Sequence, residues 1–173
     1  MKKQDTLENQ VKQSYLAIGS NLGNKFENII KAKFELQNFK IKILKSSNNF
    51  ETVSWPDSSN PKFINTVIEI ETKLSSLELL KICKLVEKKL GRKKSTKNAP
   101  RLCDIDIIDY KQSILKLGKN NLILPHPLMH KRNFVLLPLF QINKSWKHPK
   151  LQMNIVDLVN SLPIKDLRSI KQI

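Results

Sequence analysis

The segment APRLCDIDIIDY, residues 99–110, predicts a β-strand with negative charge on one face. Isoleucine fills three of its positions, as is typical of strands, while Asp104 and Asp106 are separated by a single residue. Because successive side chains of a strand point to opposite faces, the two carboxylates share one face, roughly 7 Å apart. Like charges at this distance repel each other, so the pair indicates either a solvated strand face or a site where a cation lies between them.

The composition is that of one folded domain: 173 residues, of which 40% are apolar and 27% charged. We expect residues 1–13 to be a polar lead-in that need not be ordered, and residues 14–173 to form a single domain. The lead-in lacks the apolar core of a signal peptide, and no apolar run approaches the roughly 18 residues of a membrane span, so a cytoplasmic protein is predicted. Cys83 and Cys103 have no metal-ligand spacing and are expected to be reduced.

The charge balance is strongly basic, with 31 Lys and Arg against 15 Asp and Glu and a formal net charge of +16. Such an excess attracts phosphate groups, whether on a nucleotide, a nucleic acid or an anionic lipid. The total does not choose among these ligands, because codon usage alone can also produce a lysine-rich surface. Locally clustered charge is therefore more informative than the net charge.

Hydrophobic periodicity predicts the order strand, helix, strand, strand, helix, strand, followed by a hairpin and further apolar segments. The caps expected for the two helices are Asn24 for the first, and Ser75 or Ser76 at the start of the second with Gly91 at its end. The segments predicted as extended are 15–18, a strand beginning at 40–43, 64–74, 104–110, a hairpin within 111–127, and FVLLPLFQI at 134–142.

This order predicts an α+β protein with a ferredoxin-like βαββαβ core. We expect an antiparallel sheet with its helices packed on one face, an extra hairpin, and a short C-terminal helix in the apolar pattern of residues 153–162. In such an arrangement the other face of the sheet stays free and could carry a site.

A basic segment, GRKKSTKNAPR at 91–101, lies directly before the acidic strand. Hard cations such as Mg²⁺ prefer carboxylate oxygens and share the oxygens of bound phosphates. Carboxylates that hold a metal, next to cations that hold phosphate, are what a Mg²⁺–polyphosphate site requires. The simpler alternative is that both the strand face and the basic segment are merely solvated.

Two further segments carry residues suited to binding. In LPHPLMHKRNFVLLPL, 124–139, His126 is held between two prolines, and Arg132 and Phe134 are expected on one side of an extended segment. In PKFINTVIEI, Phe63 and Asn65 share a strand face, and an aromatic ring beside an amide suits a flat, hydrogen-bonding heterocycle. The structural alternatives are a turn histidine, a surface arginine, core phenylalanines and an asparagine that begins a strand.

Five segments resemble, in order and spacing, the 6-hydroxymethyl-7,8-dihydropterin pyrophosphokinase family: YLAIGSNLGN, FIN, GR, APRLCDIDII and PHPLMHKRNFVLLPL. The resemblance runs from about residue 15 to residue 149, and its most specific part is PR-x-x-D-x-D-I followed by P-H-P-x-M-x-x-R-x-F. It implies a ferredoxin-like fold and the transfer of pyrophosphate from ATP to the hydroxymethyl group of a reduced pterin, with release of AMP, in folate biosynthesis.

The resemblance also implies roles for particular residues. Asp104 and Asp106 would hold two Mg²⁺ ions that bridge the ATP phosphates, and the residues that act on the phosphates would be Arg92, Arg101, His126 and Arg132. Pterin contacts are implied for Gly19, Thr52, Trp55, Phe63, Asn65 and Phe134. ATP contacts are implied for Lys84, Glu87, Lys94, Arg101, Ile107, His126 and Arg132.

The sequence departs from the family pattern mainly in the basic segment. Asn98 and Ala99 stand where many members have tryptophan and glycine, and Lys94 replaces an arginine, which removes a bidentate fork for phosphate. Lys84 stands at a glutamine position, and Asn121 at a position where some members have arginine. The residues expected to carry the chemistry are all present.

Two alternatives remain: a catalytically weakened relative, or a basic ferredoxin-like module that binds single-stranded RNA. RNA-binding sheets stack bases on strand aromatics, but aromatics make up only 6% of this chain and the acidic pair would repel a nucleic-acid backbone. We therefore expect an ATP- and Mg²⁺-dependent enzyme. Its partners would be ATP and the pterin, without nucleic acid or membrane, and it would act as a monomer.

Overall fold

The computed structural model describes residues 13–54, 57–92, 98–118 and 122–173. Trp55, Lys94, Asn121 and most of the polar lead-in lie outside the described residues.

The main sheet contains six strands: β1 (Ser14–Ser20), β2 (Lys42–Ser46), β3 (Phe50–Thr52), β4 (Phe63–Glu71), β5 (Asp104–Tyr110) and β8 (Ile170–Gln172). The order is β5-β1-β4-β3-β8, every pairing is antiparallel, and β2 pairs with β4 beside β3. A separate hairpin joins β6 (Leu115–Leu117) and β7 (Leu122–Leu124). The predicted ferredoxin-like core and hairpin are confirmed, with the second core strand divided into β2 and β3.

The helices are α1 (Lys25–Asn38), α2 (Ser76–Lys89), α3 (Asn133–Ile142), α4 (Ile155–Asn160) and α5 (Ile164–Arg168). The two long ones begin at their predicted caps. Asn24 accepts a hydrogen bond from the amide of Glu27, and Ser75 forms a capping box with Glu78. Gly91 follows the end of α2 with a φ of +90°, a conformation that favours glycine.

One face of the sheet is covered by α1 and α2, as predicted. Their buried side chains include Ile29, Leu36, Leu79 and Val86, and these join alternate residues of β1, β4 and β5 in one apolar cluster. Strand alternation explains this arrangement, because every second strand residue points toward the helices.

The opposite face is not free, and that part of the prediction is wrong. A second apolar cluster joins Tyr15, Val67 and Ile108 of the sheet to residues of α3 and α4, with Trp146 between them. Every residue of β4 from Ile64 to Ile70 is therefore buried, which is typical of a strand covered on both sides. Within the described ranges, the end of this face beyond α3 is left for a site.

The segment 134–142 was predicted as a strand but lies in α3, with Pro138 inside the helix. Nearly all its residues are apolar, so neither helical nor strand periodicity stands out, and packing between the sheet and α4 decides the conformation. Two smaller differences concern strands. The strand expected at 40–43 begins at Lys42, because Lys40 has a φ of +59°, and β8, which no sequence pattern indicated, pairs with β3.

The short C-terminal helix predicted from residues 153–162 is confirmed as α4, which α5 follows. Within the described ranges, the helices are all too short or too polar to cross a membrane.

The buried His148 should make stability depend on pH. Its side chain is 3% exposed, its Nδ1 accepts hydrogen bonds from the amides of Lys150 and Leu151, and burial, followed by the nearby His130, lowers its pKa below the ordinary 6.5. The unfolded chain takes up a proton near pH 6.5 that the folded state resists. The free energy of unfolding therefore falls as the pH drops through 6.5 toward the lower folded pKa.

The matched variant is His148→Asn, whose amide oxygen can still accept the two backbone N–H groups. We expect chemical denaturation at about pH 7.5 and about pH 5.5 to show a smaller loss of stability in the variant than in the wild type. An equal loss in both proteins would show that His148 does not contribute.

Candidate active site

The site lies where β1 ends and β4 and β5 begin. Gly19 of β1 is paired with Asn65 on one side and with Asp104 on the other, so these three residues form a row across one face of the sheet. A Cβ atom at Gly19 would lie 2.9 Å from Asn65 Oδ1, so any side chain at this position would displace the Asn65 amide. The row shares its face with Val67, which packs in the cluster that contains α3.

Helix α3 brings Arg132 and Phe134 to the same face. Arg132 is the extended residue before the helix and Phe134 lies in its first turn, with the guanidinium carbon 5.6 Å from the centroid of the Phe134 ring. On the other side, the guanidinium carbon of Arg101 lies 5.7 Å from the ring centroid of Phe63. Each half-buried ring thus makes a cation–π contact with an arginine.

Asn65 is 6% exposed and its amide orientation is set by Thr52, whose hydroxyl accepts a hydrogen bond of 2.9 Å from Asn65 Nδ2. Thr52 therefore contributes through Asn65. The aromatic and amide groups that sequence reasoning placed together, Phe63 and Asn65, do lie on one face at the edge of the site.

Asp104 is enclosed by arginines. Arg92 Nη1 lies 2.5 Å from Asp104 Oδ1, and Arg101 Nη1 lies 3.4 Å from Asp104 Oδ2. The side chain is 22% exposed. Arg101 Nε is buried and has no hydrogen-bond acceptor within the described ranges, so part of its donor capacity is left for an anion.

Asp106 is more open, with 37% of its side chain exposed. Its Oδ2 lies 3.5 Å from Arg132 Nη1 and 4.0 Å from His126 Nε2. Both contacts are longer than direct hydrogen bonds, which leaves oxygen lone pairs of Asp106 free to bind another group.

His126 is held by its own main chain. Its amide donates to the carbonyl of Ile108, and its Nδ1 accepts from the amide of Leu128, so in the neutral ring the proton is assigned to Nε2. Nε2 faces Asp106 and also lies 3.5 Å from Arg132 Nη1. Burial lowers the pKa of His126 below its ordinary value, against the opposing effect of the Asp106 charge. The ring is therefore neutral at pH 7, with an Nε2–H group available as a hydrogen-bond donor.

A cavity of about 600 Å³ opens beside this group, between α2 and the β6–β7 hairpin. Its lining combines apolar side chains with four polar residues, Lys81, Lys84, Asp106 and His126. The apolar part is formed by Leu77, Leu80, Ile105, Ile107, Leu122, Ile123 and Pro127. An apolar cavity with a few converging polar groups is typical of a small-molecule site.

Glu87, which is expected to contact ATP, is not among the residues that line the cavity. Its side chain is 2% exposed, and its oxygens are used by the protein: Oε1 accepts from the Ile105 amide and from Lys84, and Oε2 contacts Arg92. Burial raises the pKa of this carboxyl group, with Lys84 opposing the shift. Glu87 points inward because its carboxylate accepts a hydrogen bond from the amide of Ile105, the second residue of β5.

Asn21 is a site residue that sequence reasoning missed. Its side chain accepts from the Arg101 amide at 2.8 Å and donates to the carbonyl of Pro61 at 3.2 Å, while its own amide donates to the Arg101 carbonyl. Asn21 thereby fixes the backbone of Arg101 to the turn after β1. The signal was available in the SNLGN stretch, but a buried asparagine cannot be told from a turn residue without its partners.

The residues present fit a hard divalent cation with an incomplete protein shell. Asp104 and Asp106 offer carboxylate oxygens on one strand face, while no cluster of three or more acidic, histidine or cysteine side chains exists within the described ranges. Mg²⁺ binds in this way, through one or two carboxylates, with phosphate oxygens and water as its remaining ligands. The unused donor of Arg101 fits the phosphate side of such a site.

The fold is a ferredoxin-like α+β domain, and one end of a sheet face carries two carboxylates, three arginines and two aromatic rings. The family model described as 7,8-dihydro-6-hydroxymethylpterin-pyrophosphokinase (HPPK) matches residues 15–144. The chain belongs to this family, and the resemblance drawn from its motifs is confirmed.

The chain is similar to relatives of two kinds, pyrophosphokinases of comparable length and much longer folic acid synthesis proteins. It is 38% identical over 135 residues to the 2-amino-4-hydroxy-6-hydroxymethyldihydropteridine pyrophosphokinase of Aquifex aeolicus, a match that covers 78% of this chain and 82% of that protein. It is 39% identical over 151 residues to the folic acid synthesis protein FOL1 of Dictyostelium discoideum, covering 86% of this chain. The chain spans only 22% of the length of that second protein.

Among solved structures, an HPPK-DHPS from Plasmodium falciparum with pteroate superposes with a TM-score of 0.70 at 16% identity. The match covers 96% of this chain and 47% of that chain. At this identity the likeness is evidence for the fold alone.

Proposed function

We propose that this chain transfers the pyrophosphoryl group of ATP to the hydroxymethyl group of 6-hydroxymethyl-7,8-dihydropterin and releases AMP, a step of folate biosynthesis. The observation that carries the proposal is the placement of Asp104 and Asp106 on the same sheet face as Phe63 and Asn65, within a chain of the pyrophosphokinase family. A phosphate-binding group and a heterocycle-binding group therefore lie side by side.

Asp104 and Asp106 are the residues that would hold Mg²⁺, and we expect two ions. When bound, the metal supplies charge neutralisation and alignment of the phosphate oxygens. Arg92, Arg101 and Arg132 contribute the rest of the positive charge.

In the reaction, the pterin hydroxyl oxygen forms a bond to the β-phosphorus of ATP while the bond from that phosphorus to the oxygen it shares with the α-phosphate breaks. AMP leaves with the electron pair of that bond, and the hydroxyl proton is lost to solvent. Reactions of this kind require mainly positioning and charge stabilisation from the protein. Arg101 and Arg132 bind the phosphate oxygens, and His126 donates its Nε2–H to a phosphate oxygen or to the departing group.

The pterin lies between Phe63 and Phe134, with Asn65 at its edge. Thr52 takes one donor of the Asn65 amide, which leaves Oδ1 to accept from an N–H of the ring. Gly19 leaves the floor of this subsite open. Trp55 completes the subsite by family resemblance.

The adenosine part of ATP occupies the cavity beside α2, where its apolar lining suits a purine. The backbone of Ile107 contacts the base, and Lys84 lies within reach of the ribose or phosphates. Lys94 contributes charge from the basic segment. We further propose that residues 14–173 form one domain that acts as a cytoplasmic monomer without nucleic-acid or membrane partners.

The deciding experiment is product analysis by chromatography after mixing the purified chain with Mg²⁺–ATP and 6-hydroxymethyl-7,8-dihydropterin. We expect AMP and a pterin diphosphate in equal amounts, and neither product when a chelator is added. ADP in place of AMP would mean that a different phosphorus is attacked. Tight pterin binding without product would favour the catalytically weakened relative.

Replacing one metal-binding carboxylate should abolish turnover. In Asp106→Asn the size of the side chain is kept but its charge is lost, and we expect product formation to fall by about 10³-fold or more, because charge stabilisation supplies most of the catalysis in such reactions. The control is Asp157→Asn on α4, which changes the net charge equally. A rate within a few-fold of wild type for Asp106→Asn would make the metal assignment wrong.

Removing one stacked ring should weaken pterin binding more than it affects the fold. For Phe134→Ala we expect the dissociation constant of 6-hydroxymethylpterin, measured by calorimetry, to rise about tenfold, in line with the loss of one aromatic stacking contact. Phe140→Ala is the matched control, since Phe140 lies in the same helix and packs partly against the same apolar cluster. Equal weakening by both substitutions would contradict the stacking role.

A further inference from the structure

Arg92 lies between two carboxylates that have different surroundings. Its Nη1 is 2.7 Å from Glu87 Oε2 and 2.5 Å from Asp104 Oδ1. Glu87 is 2% exposed and lies at the end of α2, whereas Asp104 is 22% exposed and faces the site. One guanidinium group thus connects the protein interior to the site.

The proposed function makes opposing demands on this contact. A metal ion on Asp104 competes with Arg92 for the same carboxylate, so the binding of metal and ATP weakens the Arg92–Asp104 contact. Arginine has a long, flexible side chain, and once released from Asp104 it would be free to leave the site. Holding it beside the phosphates would then cost conformational entropy.

Glu87 is placed to prevent that loss. Its other oxygen accepts from the Ile105 amide at 2.7 Å and from Lys84 at 2.9 Å, so its position is fixed to β5 and α2 independently of Arg92. Ile105 is the neighbour of Asp104, and the same carboxyl group therefore holds both the strand that presents Asp104 and the arginine that covers it.

We propose that Glu87 is a positioning residue that keeps Arg92 at the site when a metal ion displaces it from Asp104. This inference deepens the proposed function and rests on it. In the metal-free state Arg92 neutralises Asp104; with metal and ATP present it stays bonded to Glu87 and its remaining N–H groups turn to the phosphates. The contact between Arg92 and Asp104 is exchanged, and the contact between Arg92 and Glu87 is kept.

The test is a double-mutant cycle with Glu87→Gln, Arg92→Gln and the double variant of the full chain. Glutamine at position 87 retains an acceptor for the Ile105 amide but loses the charge that holds Arg92. The readout is the dissociation constant of the Mn²⁺ complex of α,β-methylene-ATP, an analogue that blocks transfer, measured by calorimetry.

We expect Glu87→Gln to weaken Mn²⁺ binding about fivefold in the wild-type background, the size of a typical coupling between contacting residues, and to have no further effect when Arg92 is already glutamine. Equal weakening in both backgrounds would overturn the proposal, because the effect would then come from the lost charge or from local unfolding. No weakening in either background would overturn it as well.

If Glu87→Gln does not fold, Glu87→Asp takes its place in the same cycle. Aspartate keeps the charge but is one methylene shorter, so it loses reach to Arg92, and the same dependence on Arg92 is expected with a smaller amplitude.

The cycle also separates this inference from the proposed function. If the wild type binds Mn²⁺ but forms no product in the chromatographic assay, the transfer reaction is refuted. The double-mutant cycle then still tests the positioning role of Glu87. Absence of Mn²⁺ binding to the wild type would refute both.

Discussion

Repulsion between two carboxylates on one strand face is the constraint on which the rest of the site depends. Asp104 and Asp106 lie on β5, and their negative charges must be neutralised by positive groups nearby. These groups come from several elements: Arg92 from the end of α2, Arg101 from the segment before β5, and Arg132 from the start of α3. The fold can be understood as the framework that brings these distant segments to one edge of a sheet.

One face of the sheet contributes mainly to stability, and the other face carries the candidate site. The face under α1 and α2 is a continuous apolar core. The other face is covered by α3 and α4 over most of its length, and polar groups occupy the end that these helices leave open. Burying most of the second face has a functional consequence: α3 packs against the sheet, so Phe134 and the preceding Arg132 are presented from a packed helix.

Sequence patterns predicted what depends on local order. The capped helices and the alternation of Phe63 with Asn65 follow from residues close together in the chain, and the structure confirms them. Local order was misleading for residues 134–142, because a segment apolar on all sides carries no periodicity, and its helix exists only because α4 and the sheet enclose it. Glu87 was assigned to ATP on family position, but its burial follows from a contact with the Ile105 amide that no spacing rule contains.

The sequence by itself determined the order of the core elements, the acidic strand and the motifs that place the chain in the pyrophosphokinase family. These depend on the period of hydrophobic residues and on residue types at fixed spacing. Only the tertiary structure decided that Gly19 lies between Asn65 and Asp104 in the sheet, that Asn21 fixes Arg101, and that Arg92 lies between Glu87 and Asp104. The physical reason is that these contacts join segments far apart in the chain, and their partners are set by strand register and helix packing.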